Sequence, residues 1–191
     1  LKFDSENLDL LGPAFRVVLA DGRMDRAIKL AGRLTRIEPG HGLGRLVRAM
    51  NRVASRDYRG ARRELRKADE RGINPLVGPL VDAWILAGLK EREKAEEILR
   101  ALGENTALSA FAVYHRALVN DVLGDEAAAD EAYRETVEVT GGESVRPIEA
   151  RASFLARSDR AGEAAELYRG YLALAPGDLL IEEALAGLER G

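Results

Sequence analysis

Apolar residues recur along this chain at helical spacing, and short polar turns interrupt them at regular intervals. The stretch Leu118 to Tyr133 shows the unit: an apolar helical pattern runs into Gly124-Asp125, and a second helix then opens on small residues. Upstream, Leu8, Leu11, Ala14, Phe15 and Val18 make one stripe, and Met24, Ala27, Ile28, Ala31 and Leu34 the next. Leu43, Leu46, Val47, Met50 and Val53 follow, then Ala61, Leu65 and Ala68. Ala95, Ile98, Leu99 and Leu102 lie after Trp84, and Phe111, Val113, Tyr114, Ala117 and Leu118 precede Gly124. Ile148, Ala152 and Leu155 lead to Ala164, Leu167, Tyr168, Tyr171 and Leu172, and a last amphipathic stripe spans residues 179–190. The period is that of helices throughout, so the predicted class is all-α.

The stripes share a register. Ala27, Ala61, Ala95 and Ala129 are each 34 residues apart, and Ala164 follows after 35, the extra residue falling in the loop Thr140-Gly141-Gly142-Glu143-Ser144. Each alanine follows a polar turn: Gly22-Arg23-Met24, Arg56-Asp57-Tyr58, Lys90-Glu91-Arg92, Gly124-Asp125-Glu126 and Asp159-Arg160-Ala161. Small residues mark the preceding helices at Ala49, Ala83, Ala117 and Ala152, and Pro39, Pro75 and Pro176 read as closing three of the units. Helix-turn-helix units of this period resemble the tetratricopeptide repeat family. The family's first-helix tryptophan and Leu-Gly pair are mostly missing, and units three and four lack the proline. The resemblance implies one right-handed α-solenoid of antiparallel helix pairs over residues 1–191. Its repeats run 8–41, 42–75, 76–109, 110–144 and 145–178, and a capping helix covers 179–190. Residues 1–7 read as a polar lead-in and 71–75 as an exit loop.

Composition changes little in this picture and closes several others. The 191 residues include no cysteine, which excludes disulfides, thiolate metal sites and cysteine nucleophiles. No apolar run approaches the roughly 18 residues of a membrane span, so no membrane insertion is expected. Compartment is left open, and the start at Leu1 rather than methionine reads as a fragment of a longer protein. The net charge of −3 hides an asymmetry: residues 1–75 hold 17 basic and 10 acidic side chains, residues 76–191 hold 12 and 22. Weak head-to-tail self-association follows as an expectation.

No catalytic arrangement stands out. His41 and His115 are isolated from acidic or cysteine partners at ligand spacing, and His-Gly-Leu-Gly-Arg lacks the ending of a phosphate loop. No cofactor, metal or enzymatic activity is expected. A pI near 5.6 and acidic downstream repeats argue against nucleic acid despite the arginine stripe of repeat two. The resemblance implies a non-catalytic scaffold that holds a peptide or partner protein on the concave surface of its first helices. An assembly segment of a longer array, an appendage of an enzyme or secretion apparatus, and an RNA-binding helical repeat are the alternatives. The family's clamp for acidic C-terminal tails needs Lys and Asn where this chain has Gly12, Arg16, Val47 and Met50, which argues against that ligand class.

One conflict picks out candidate site residues. Family first helices bury their seventh and eleventh positions, which here hold Arg48 and Arg52, Asp82, Arg116 and Asn120, and Arg151. Buried charges need partners. Either Arg48, Asp82 and Arg116 form an inter-repeat ladder of alternating sign, or the first helices turn this polar stripe toward the concave face. Trp84 and Tyr114 lie near the stripe in both cases, and aromatic rings with arginine make binding hot spots. The candidate partner-binding residues are therefore Arg48, Arg52, Asp82, Trp84, Tyr114, Arg116 and Asn120.

Overall fold

Five turns of one design punctuate the chain. Gly22, Arg56, Lys90, Gly124 and Asp159, one per 34 or 35 residues, all have left-handed backbones, with φ of 69°, 58°, 61°, 78° and 58°. In each, the next N–H returns to a carbonyl five residues back. The bonds are Arg23 to Val18 (3.1 Å), Asp57 to Arg52 (2.9 Å), Glu91 to Leu86 (2.9 Å), Asp125 to Asn120 (3.0 Å) and Arg160 to Leu155 (2.9 Å). This is the Schellman closure of a helix C-terminus, and it reverses the chain within two or three residues. The following helix then runs antiparallel to the one just ended.

The structure is a computed structural model that describes residues 8–69 and 74–190. The lead-in at 1–7 and residues 71–73 of the expected exit loop lie outside the described residues. Among the described residues there are eleven α-helices and no strand. These are α1 (Leu8–Ala20), α2 (Met24–Ile37), α3 (Gly42–Ala54), α4 (Tyr58–Leu65), α5 (Asn74–Gly88) and α6 (Arg92–Gly103), followed by α7 (Ser109–Leu123), α8 (Glu126–Val139), α9 (Val145–Arg157), α10 (Ala161–Leu174) and α11 (Leu179–Arg190). The class is all-α, helix pairs in solenoid order. Two boundaries move from the sequence reading. Pro75, read as closing a repeat, lies in the first turn of α5, where a missing N–H costs nothing. α4 stops at Leu65, and Lys67 and Ala68 bond back three residues in tighter turns.

The chain divides into two compact units, 1–98 and 99–191, the division falling inside α6. In the first, α2 packs on α1 and α3, α4 on α3 and α5, and α3 touches α5. Leu11, Phe15, Val18, Ala27, Ala31, Leu34 and Val47 form one core cluster, and Leu46, Ala49, Ala61, Leu65 and Ile85 another. In the second, α7 to α11 pack in sequence around Ala117, Ala129, Tyr133, Ile148, Phe154, Leu155, Tyr168 and Ile181. The register alanines Ala27, Ala61, Ala95, Ala129 and Ala164 are all fully buried. A methyl group is what lets paired helices approach at these positions.

Candidate partner-binding site

In the first unit, α3 presents Arg45, Arg48 and Arg52 at helical spacing, and α4 sets one carboxylate among them. The Arg45 Nη1 donates to Glu64 Oε2 at 2.6 Å; the Arg48 Nε and Nη2 donate to its two oxygens at 3.0 and 2.9 Å. Arg52 Nε comes within 3.4 Å of the same carboxylate and donates through Nη1 to Asp57 at 2.6 Å. Glu64 and Arg45 keep only 7% and 9% of their side-chain surfaces exposed. The Arg48 hydrogen bonds, helped by Arg45 and opposed by burial, hold the Glu64 carboxyl down at about 2. Asp57 also caps α4, accepting the Gly60 N–H at 2.8 Å, and this bond and Arg52 hold its carboxyl below the usual range. Arg62 on α4 reaches Asp82 on α5 at 2.9 Å, and next to Asp82 the half-buried Trp84 stands between the fully buried Ala83 and Ile85. Beside the arginines, Ile28, Arg48, Asn51, Arg52, Ser55 and Asp57 line an open depression of about 300 Å³.

The second unit has a different character. Arg116 on α7 is paired with Glu135 on α8. Asn120 is interior, 1% exposed, and its Oδ1 meets no hydrogen-bond donor among the described residues. Its neighbour Asp121 accepts from the Tyr133 hydroxyl at 2.9 Å and from Arg157 Nη2 at 2.8 Å, joining α7, α8 and α9. Burial, and then the hydrogen bond to Asp121, push the Tyr133 phenol up. On the outward face of α7, Phe111 and Val122 are 60% and 70% exposed, with Tyr114 and Leu118 half-buried between them. The His115 ring lies 5.4 Å from Phe111 and 5.7 Å from Tyr114. Burial lowers the His115 pKa and raises that of Tyr114, so both face the surface uncharged at neutral pH. Arg146 and Glu149 on α9 lie close enough to Tyr114 to act on its phenol.

The seven residues picked from sequence thus fall into two groups. Arg48, Arg52, Asp82 and Trp84 belong to the first unit, with Arg48 and Arg52 drawn together on Glu64. Tyr114, Arg116 and Asn120 belong to the second, all on α7. The partners of Arg48, Asp82 and Arg116 are Glu64, Arg62 and Glu135, each on a second helix of a pair. Sequence reasoning passed over Glu64, though it is the one acid between Tyr58 and Lys67. It also passed over Asp121 and Val122, and named Phe111 only as one of an apolar stripe. His41 is structural: its Nδ1 accepts the Gly44 N–H at 3.0 Å and caps α3. Among the described residues no group of three or more His, Cys, Asp or Glu side chains is placed to hold a metal ion. No described helix is long and apolar enough to cross a membrane.

No protein-family model matches the chain, and no curated protein matches it. Solved structures do. A fragment of MamA, 41-end, from Desulfovibrio magneticus RS-1 superposes with a TM-score of 0.67 at 18% identity, over 91% of this chain and 97% of that one. A tetratricopeptide repeat protein from Parabacteroides merdae ATCC 43184 gives 0.69 at 16% identity, over 98% and 73%. A chain of Naa15/Naa10 bound to HypK-THB gives 0.52 at 20% identity, over 92% of this chain and 28% of that one. With the five-fold turn, the buried alanines and the helix pairs, these likenesses give the chain the tetratricopeptide-type helical-repeat fold.

Proposed function

We propose that this chain is a non-catalytic scaffold that holds a partner protein or peptide against its first helices. The face of α7 carries the contact in the second unit. The observation behind this reading is the stripe Phe111, Tyr114, Leu118 and Val122, at spacings of three and four residues on α7, with Phe111 and Val122 exposed and Tyr114 and Leu118 half-buried against the core between them. Two exposed apolar side chains flanking two half-buried ones, with Arg146 and Glu149 near Tyr114, have the make-up of a binding hot spot. The likeness to a chain of Naa15/Naa10 bound to HypK-THB agrees with this in kind. In the first unit the contact residues are Arg52 and Trp84 beside the depression and on α5, and Arg116 adds a charge on α7.

A photo-crosslinking side chain at Phe111, compared with one at the exposed Glu138 on α8, tests the reading. A partner joined from 111 and not from 138, and lost with Tyr114→Ala, supports it; equal capture from both positions removes it. Alanine at Arg52 and at Arg116 adds a separate comparison. Weaker binding with unchanged melting places those arginines in the contact, whereas loss of stability with unchanged binding leaves them to their ion pairs.

A further inference from the structure

We propose that the cleft between the α3–α4 turn and the C-terminal end of α5 takes an acidic stretch of a partner protein. Arg56, Asp57, Tyr58 and Arg59 line one side of this open cleft of about 380 Å³, and Gly88, Leu89 and Lys90 the other. The Tyr58 ring lies against Gly88, where a Cβ would run into it, so the bare end of α5 sets an aromatic wall. Arg56, Arg59 and Lys90 are exposed, and among the described residues their side chains form no hydrogen bond or ion pair. Arg45, Arg48, Arg52 and Arg62 of the same two helices, by contrast, each have a carboxylate in Glu64 or Asp82. Asp57 is the one acid among the lining residues, and Arg52 and the Gly60 N–H already hold it. Glu91, which Arg59 influences through space, accepts from Lys94 Nζ at 2.6 Å. The cleft thus gathers three cations that lack a counter-ion.

Two of the three stand where the backbone disfavours a side chain. Arg56 and Lys90 occupy equivalent positions, at φ of 58° and 61°, where the first and fourth turns have Gly22 and Gly124. Asp159 in the fifth turn is of a residue type that enters this region more readily. Arginine and lysine are not, and side chains kept on strained backbone point to a use outside the fold. The occupant follows from charge and size. A guanidinium fork fits a carboxylate through two parallel hydrogen bonds, and Lys90 adds a point charge. A shallow cleft of this volume receives a few neighbouring side chains rather than a folded surface. A long phosphate backbone matches less well, because Glu91 and Glu93 stand at the start of α6, directly beyond Lys90, and repel it. A short acidic stretch meets the three cations and ends there.

Fluorescence anisotropy of a labelled hexaglutamate peptide with blocked ends, titrated with the 191-residue chain at about 50 mM salt, tests this. Saturable binding is expected, weakening several-fold at about 0.3 M salt as exposed charges are screened. Arg56→Ala with Arg59→Ala is expected to weaken it about tenfold, the combined effect of two exposed pairs. Lys90→Gly is expected to weaken it about threefold while raising the melting temperature, a combination that a purely structural lysine does not give. Lys29→Ala with Arg36→Ala removes the same charge from exposed positions on α2 and is expected to leave binding within about twofold. Absence of binding at low salt overturns the proposal. So does equal weakening by the α2 pair, which marks a diffuse effect of net charge, and so does a Lys90→Gly protein that binds as the original does. A single-stranded oligonucleotide of equal charge that binds more tightly, and is lost with the cleft variants, makes this a nucleic-acid site and also overturns the proposal.

Discussion

Arg45 and Glu64 form a buried ion pair where the other repeats place two apolar side chains. The positions equivalent to this pair are Leu11 with Leu30, Val113 with Ala132, and Ile148 with Leu167. Removing one partner of such a pair strands the other charge in the interior. Glu64→Gln is expected to destabilise the first unit by about 3 kcal/mol in chemical denaturation, because Arg45 then lacks a counter-charge. Replacing both, as Arg45→Leu with Glu64→Leu, is expected to recover most of that loss, since Arg48 and Arg52 are partly exposed and hydrate. A double variant as unstable as Glu64→Gln contradicts this account.

The same carboxylate makes the first unit acid-sensitive. Its pKa is about 2 folded against an ordinary value of 4.5, so the folded state binds fewer protons than the unfolded chain between those values. The associated stability, about 3 kcal/mol, is whole above pH 4.5, falls as pH drops toward 2 and is gone below it. Urea titrations at pH 5 and pH 3 measure the loss, and Glu64→Gln is expected to flatten it. Equal slopes in the two proteins assign the acid sensitivity to other groups.

Left-handed backbone at the exposed Lys90 carries the strain of a Cβ, while Gly124 in the equivalent turn carries none. Lys90→Gly is expected to stabilise by about 0.5–1 kcal/mol, and Gly124→Ala to destabilise by about 1 kcal/mol. Thermal melts of the two variants check both signs. A Lys90→Gly protein less stable than the original means that the lysine side chain matters more than its backbone.

Ala129 is fully buried where α8 meets its neighbours. Ala129→Leu is expected to cost about 1–3 kcal/mol through overpacking, with the helices forced apart. An unchanged melting temperature rules out close packing at this point.

Much of the fold is readable because its constraints are local. An alanine where two helices cross, and a turn that reverses the chain in two residues, leave their mark on adjacent sequence. Pro75 misled for the same local reason: proline ends one helix and begins another equally well, and only the start of α5 decides which. The charge pattern was legible only halfway. Arg48, Asp82 and Arg116 are visible as charges on an apolar helix face, but their counter-ions lie 16 to 20 residues away on second helices. Which acid a long guanidinium reaches depends on the pitch and rotation of two helices, which periodicity does not fix. The exposure of Phe111 and Val122 was not legible, because apolar spacing shows that a stripe exists, not whether another helix covers it.

The helix pairings described within each unit all join helices one or two places apart in the chain. Contacts of such short sequence separation place a domain among the fast folders, since no long loop has to close before apolar burial begins. The order of synthesis matters as well. The cluster of Leu11, Phe15, Val18, Ala27, Ala31 and Leu34 lacks only Val47. Once α3 has left the ribosome, α1 and α2 hold every side chain of their core, and nothing made later is needed to seal it. Such a chain is expected to fold as it is made, one helix pair behind the point of synthesis.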